Sequence, residues 1–150
     1  MVVLIRTDAS NADFRKLVAA LDEDLAIRDG EEHSFFDQYN KLDQIKHVVV
    51  AYSGTYAVGC GAIKEYATGT MEIKRMYVPV EKRGQGVATR ILKELEIWAK
   101  DMNYVRCILE TGLKQPEAIA LYRKNEYAFI SNYGQYAGVA SSVCFEKVLE

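Results

Sequence analysis

Two prolines in 150 residues, no proline- or serine-rich tract and no internal repeat leave no candidate linker, so a single domain over residues 1–150 is expected. A domain of that size buries roughly 70% of the surface its unfolded chain exposes, which is enough for one core. Only three cysteines are present, Cys60, Cys107 and Cys144, and an odd, widely spaced set in apolar surroundings fits neither a disulfide framework nor a zinc knuckle. They read as reduced core residues. The two histidines, His33 and His47, lie apart, and no metal site is expected. Charge of neither sign prevails: 19 basic and 21 acidic residues give −2, so no global field draws the chain to nucleic acid or to an anionic membrane. The longest apolar run, about His47 to Tyr52, is far short of the ~20 residues a membrane span needs. Met1 to Arg6 lacks the basic start and small-residue cleavage site of a secretory signal, so a cytoplasmic address is the expectation.

What is present is periodic. Val2 to Ile5 is a β-branched run. Ser10 or Asp8 is placed to cap a helix over Asn11 to Ile27, in which Phe14, Leu17, Val18, Leu21 and Leu25 recur at helical spacing. A short second helix is expected over Ser34 to Lys41. Strands follow at His47 to Tyr52 and Tyr56 to Tyr66, joined at Ser53-Gly54-Thr55, and at Met71 to Val78 before Pro79. Gly59-Cys60-Gly61 interrupts the second of these and signals a bulge or the close approach of another element. From Gly86 the period turns helical, with Val87, Ile91, Leu95, Trp98 and Met102 on one stripe and Asn103 as a left-handed end. Tyr104 to Glu110 reads as a strand, Pro116 to Lys124 as a helix, and Tyr127 to Ile130 and Ser142 to Val148 as the last strands. The order β-α-α-β-β-β-α-β-α-β-β places one strand-helix-strand crossover inside an otherwise antiparallel sheet, hence a mixed α/β sheet and not a doubly wound one.

The chemistry gathers after Glu72. A strand runs into the turn Arg83-Gly84-Gln85-Gly86-Val87-Ala88 and then into a long helix. Glycines there keep Cβ atoms away from a ligand, and the first helical amides have no intrahelical partner. With the helix dipole and Lys82, Arg83 and Arg90 nearby, the turn suits a pyrophosphate. A Walker loop needs Lys-Ser or Lys-Thr after the second glycine, where Val87-Ala88 stands, and a Rossmann turn needs a third glycine in a parallel context.

The turn resembles the Gln/Arg-x-x-Gly-x-Gly/Ala motif of the GNAT N-acetyltransferases. Glu72 to Val78 is similar to that family's fourth strand, Leu109-Glu110-Thr111 to its fifth, and Gln115 to Tyr122 to its following helix; about residues 46 to 130 agree in order and spacing. The resemblance implies a mostly antiparallel mixed sheet with helices on both faces, and acetyl-coenzyme A as co-substrate without a metal. It implies that backbone groups of Met76, Tyr77 and Val78 hold the pantetheine arm, on a strand that a bulge splays from the next. The amides of Gln85, Gly86, Val87, Ala88 and Thr89, beside Arg83 and Gly84, hold the pyrophosphate, while Gln115 and Tyr122 line the thioester end and Ala118 is small enough to let the arm pass. One departure is that Asn125-Glu126-Tyr127 stands where the family has Gly-Phe or Gly-Tyr, with Asn125 the expected left-handed cap.

Acetyl transfer needs a neutral amine, yet an alkylamine of pKa near 10.4 is protonated by roughly a thousandfold at pH 7. Glu72 is the leading general base, by resemblance to the glutamate near the start of the same strand in histone-modifying members, and Glu110 its competitor. Tyr122 is the general acid for the departing thiolate, and an amide near Met76 to Val78 stabilises the oxyanion. The expected acceptor is a small-molecule amine, read by the first two helices and by an aromatic lip at Tyr133, Gly134, Tyr136 and Gly138. The acidic residues Asp22, Glu23, Asp24, Asp29, Glu31 and Glu32 read first as a solvated helix face. A protein-lysine or N-terminal acetyltransferase and a non-catalytic acyl-CoA-binding module are the rivals. A homodimer is compatible with everything above.

Overall fold

The computed structural model describes residues 1–30 and 45–150. Seven strands form one sheet in the order β1-β2-β3-β4-β5-β7-β6: β1 (Val2–Thr7), β2 (His47–Ser53), β3 (Tyr56–Ala67), β4 (Thr70–Tyr77), β5 (Arg106–Gly112), β6 (Ala128–Ile130) and β7 (Ser142–Val148). Each neighbouring pair is antiparallel except β4 and β5, whose parallel pairing needs a crossover connection and has one in the helix between them. The mixed sheet read from the sequence is therefore the sheet observed. The helix expected over Ser34 to Lys41 lies outside the described residues.

Alternation along β2 divides the core. Val48 and Val50 meet Phe14, Leu17 and Val18 of α1 (Ala12–Asp29), whereas Val49 and Ala51 belong to the cluster built on α2 (Val87–Asp101), which also takes in Tyr122 of α3 (Pro116–Lys124). The described helices thus cover both faces. Ile91, Leu92 and Leu95 of α2 are fully buried, each worth roughly 1.5–3 kcal/mol relative to exposure. The interruption at Gly59-Cys60-Gly61 is a close approach by α2. A Cβ on Gly61 would strike Met76 Sδ and come within 2.9 Å of both Ile91 Cγ2 and Leu95 Cδ1. No described helix is long and apolar enough to cross a membrane.

Three local expectations need correction. The cap of α1 is Asn11, whose Oδ1 accepts the Phe14 N–H at 2.9 Å; the Ser10 hydroxyl is instead engaged with Asp8 Oδ1 at 2.5 Å. Strand β5 begins at Arg106, because the Tyr104 N–H still donates to Ala99 O and closes the end of α2 behind the left-handed Asn103 (φ 69°). After α3 the left-handed residue is Glu126 (φ 72°), not Asn125, whose side-chain amide turns back to Leu121 O at 2.8 Å.

Candidate functional site

Helix α2 begins without the devices that begin α1. Its N-cap is Gly86, no side chain caps it, and its first turn carries no acidic residue. The first amide with a helical acceptor is Arg90, which donates to Gly86 O at 3.1 Å, so the N–H groups of Val87, Ala88 and Thr89 have no helical acceptor. Gly84 and Gly86 have φ of 80° and 78°, and a Cβ on either would meet nothing within 4 Å. Glycine is required there by the left-handed backbone, and the space beside it is open. Arg83 ties the turn to β4 by donating from Nε to Val78 O at 2.7 Å.

A cavity of about 340 Å³ runs from this turn along the end of β4 to α3. Of the residues predicted to hold the cofactor, Met76, Tyr77, Val78, Arg83, Gly84, Gly86, Val87, Ala88, Thr89, Gln115, Ala118 and Tyr122 line it. Gln85 does not; it is exposed on the crest of the turn. Lys82 and Lys124 add positive charge to the walls, Asp24 and Glu117 negative charge, and Leu21 reaches in from α1. Lys124 was not anticipated, since nothing in the periodicity of α3 distinguishes it from a solvated end residue.

The second cavity is made by strands that part. Hydrogen-bonded register between β4 and β5 covers only Thr70 to Glu72 against Arg106 to Ile108. Between the pairs Ala62–Lys74 and Cys60–Tyr77, β4 spends an extra residue, and within that bulge Arg75 is left-handed (φ 57°). A slot of about 100 Å³ opens there, lined by Glu72 to Met76 of β4, Glu110 to Gly112 of β5, Leu21 and Leu25 of α1, and Tyr136. No sequence signal marks Arg75, since a non-glycine residue at positive φ is uncommon and arginine has no special tolerance for it.

Charged groups crowd this slot. Glu72 is buried; its Oε2 accepts the Tyr133 hydroxyl at 2.6 Å and lies 3.8 Å from Lys74 Nζ. Burial lowers the Lys74 ammonium below the usual lysine value, an effect that Glu72 and Glu110 oppose. Arg75 donates from Nη2 to Asp22 at 2.6 Å, while its buried Nε has no hydrogen-bond partner among the described residues, an omission that ordinarily costs about 1–3 kcal/mol. Glu110 accepts from Ser142 Oγ at 2.7 Å. Of the acidic residues expected on a solvated face, Asp22 is bound to Arg75 and Asp24 to Arg28; Glu31 and Glu32 lie outside the described residues. The aromatic lip is not a free flap: Tyr136 is 3% exposed, and Tyr133 is held by Glu72 and packs edge-on against Tyr66.

The two cavities share Leu21, Met76, Gln115, Ala118 and Tyr122. Tyr122 is buried against Tyr127 and Phe145, and desolvation, with a smaller contribution from the charge of Glu110, raises its phenol above the ordinary tyrosine value. It therefore carries its proton at neutral pH. The cysteines have the opposite of a nucleophile's environment: burial pushes Cys60 and Cys107 up to about 12 and Cys144 up to about 11. Among the described residues no three His, Cys, Asp or Glu side chains gather to hold a metal ion.

Comparison with known proteins gives a consistent picture. Residues 12–127 match the Acetyltransferase (GNAT) family. An IAA acetyltransferase of Azospirillum brasilense is 39% identical over 106 residues, covering 70% of this chain and 69% of that protein. A crystal structure from Klebsiella pneumoniae, described as an acyl-CoA N-acyltransferase, superposes with TM-score 0.84 at 31% identity over 100% of this chain and 99% of that one. The PaiA N-acetyltransferase of Thermoplasma acidophilum, solved in complex with coenzyme A, shares the fold with TM-score 0.73 at 17% identity, covering 99% of both chains.

Proposed function

Because the chain belongs to the Acetyltransferase (GNAT) family, we propose that it moves an acetyl group from acetyl-coenzyme A to the primary amine of a small molecule, at the point where its two cavities meet. The observation that carries this reading is the meeting itself. A long cavity that ends on unpaired helical amides and a short slot that ends on carboxylates share Met76, Gln115, Ala118 and Tyr122.

The fit to the co-substrate rests on charge and direction. The uncapped N-terminus of α2 supplies N–H donors and about half a positive charge, beside Lys82, Arg83 and Lys124, as a diphosphate requires. Beyond the bulge, Met76 to Val78 no longer pair with β5, so their backbone is placed to hydrogen-bond an extended arm as an added strand does. An amide of that segment stabilises the oxyanion, a contribution worth about 3 kcal/mol in comparable sites.

Glu72 takes the proton of the incoming ammonium, directly or through water. Tyr133 and Lys74 both engage its Oε2 and so hold the carboxylate in one orientation. The acceptor nitrogen then attacks the thioester carbon, the C–S bond breaks, the Tyr122 hydroxyl protonates the departing sulfur, and the second proton that the nitrogen sheds on becoming an amide restores the phenol, directly or through water. General acids and bases of this kind contribute roughly 10²–10⁴-fold. The test is release of free thiol from acetyl-coenzyme A across a panel of amines and short peptides. We expect turnover of small amines by the wild type, and a kcat about 100-fold lower in Tyr122→Phe and in Glu72→Gln with coenzyme A affinity retained. Full activity in both variants defeats the assigned roles, and failure to bind coenzyme A in calorimetry defeats the reading as a whole.

A further inference from the structure

Resting on that reading, we infer that the acceptor carries a carboxylate a few bonds from its amine, and that Lys74 and Arg75 receive this carboxylate in the slot between β4 and β5. The slot is small, about 100 Å³, and unlike a site for a simple amine it contains buried cations as well as carboxylates. The Lys74 and Arg75 side chains are 10% and 2% exposed, and the bulge brings these consecutive residues into the same cavity.

Their charges are met by carboxylates, Glu72 and Glu110 near Lys74 and Asp22 on Arg75, but their hydrogen-bond donors are only partly used. Lys74 stands 3.8 Å from Glu72, beyond hydrogen-bond length, and that carboxylate also receives the Tyr133 hydroxyl. Arg75 has Asp22 on the rim, 40% exposed, but its buried Nε donates to no described group. The Lys74 ammonium, held beyond hydrogen-bond length from Glu72, has donors to offer an anionic oxygen in the slot, and the charge of Arg75 stands behind it, although the enclosed Arg75 Nε is itself out of a ligand's reach.

The same arrangement discriminates among amines. A polyamine would bring a second ammonium against Lys74 and Arg75, an adverse like-charge contact. A neutral carboxamide offers an oxygen without the charge. A zwitterion matches both signs, its amine toward Glu72 or Glu110 and its carboxylate toward the cations, with Leu21 and Leu25 as an apolar wall for a side chain.

The experiment compares L-amino acids with their carboxamides, their decarboxylated amines and spermidine, as acceptors for the full chain at fixed acetyl-coenzyme A. We expect kcat/KM at least tenfold higher for the carboxylate form, and this ratio to fall below threefold in Lys74→Met, whose folding is checked by coenzyme A uptake. Equal or better use of carboxamides or spermidine overturns the inference, as does an unchanged ratio in Lys74→Met. Should the wild type release no thiol with any amine, the acetyl-transfer reading fails separately. The thermal shift of the coenzyme A complex then decides the carboxylate site: stabilisation by the amino acid and not by its carboxamide supports it, and equal shifts refute it.

Discussion

The long cavity draws its turn end from one run of the chain, Arg83 to Thr89, whereas the slot takes its lining side chains from α1, β4, β5 and the loop before β7. The first is mainly backbone chemistry, in which a left-handed glycine pair opens a helix whose first amides no side chain caps. The second is side-chain chemistry, and Glu72, Lys74, Arg75, Glu110 and Tyr133 meet only because a bulge parts two strands. The starts of the two helices sharpen the contrast. Asn11 satisfies α1 from within, while Gly86 leaves α2 open.

Three substitutions put this contrast under strain, in decreasing order of effect. Gly61 is where the halves touch, since a side chain there meets Met76 of the slot and Ile91 and Leu95 of the helix that carries the turn. Gly61→Val is expected to cost about 3 kcal/mol of stability by overpacking and to weaken both cavities together; denaturant unfolding and calorimetry measure the two. If coenzyme A affinity survives, the two sites are mechanically independent. Gly86→Val strains only the turn. Forcing a side chain into the left-handed region costs about 2 kcal/mol, which the free turn sheds by relaxing and binding must restore, so Kd for coenzyme A should rise by up to about 30-fold, and an unchanged Kd in a turn shown to have relaxed would count against its holding the diphosphate. Asn11→Ala removes the cap of α1, which supplies Leu21 and Leu25 to the slot. A loss of about 1 kcal/mol in unfolding free energy is expected. Its effect on acceptor KM should exceed any effect on coenzyme A binding.

Much of the cofactor end was legible because its signals are short-range. Glycines at 84 and 86, the switch to a period near 3.6 at Val87, and Pro116 opening α3 each act within a few residues, and each feature stands where expected. The errors fall where two local solutions compete. Ser10 and Asn11 are both good caps, and the choice went to Asn11 because Asp8 had already claimed the serine hydroxyl. Asn125 and Glu126 differ in intrinsic tolerance of positive φ, yet the asparagine amide found Leu121 O and the left-handed position passed to glutamate. The acceptor side was legible in part. Glu72 and the Tyr133–Tyr136 pair were singled out, but Lys74 and Arg75 gave no sign of facing the slot, nor Lys124 of facing the long cavity.

By itself the sequence determined the order of the described elements, the one parallel crossover and the glycine turn that opens α2 without a cap, because hydrophobic period, glycine and proline placement and helix-end amides are properties of contiguous residues. Only the tertiary structure decided which charges share the slot. The left-handed bulge at Arg75 is held by contacts from distant segments, Asp22 on α1 and Cys60 on β3, and no run of neighbouring residues encodes that meeting.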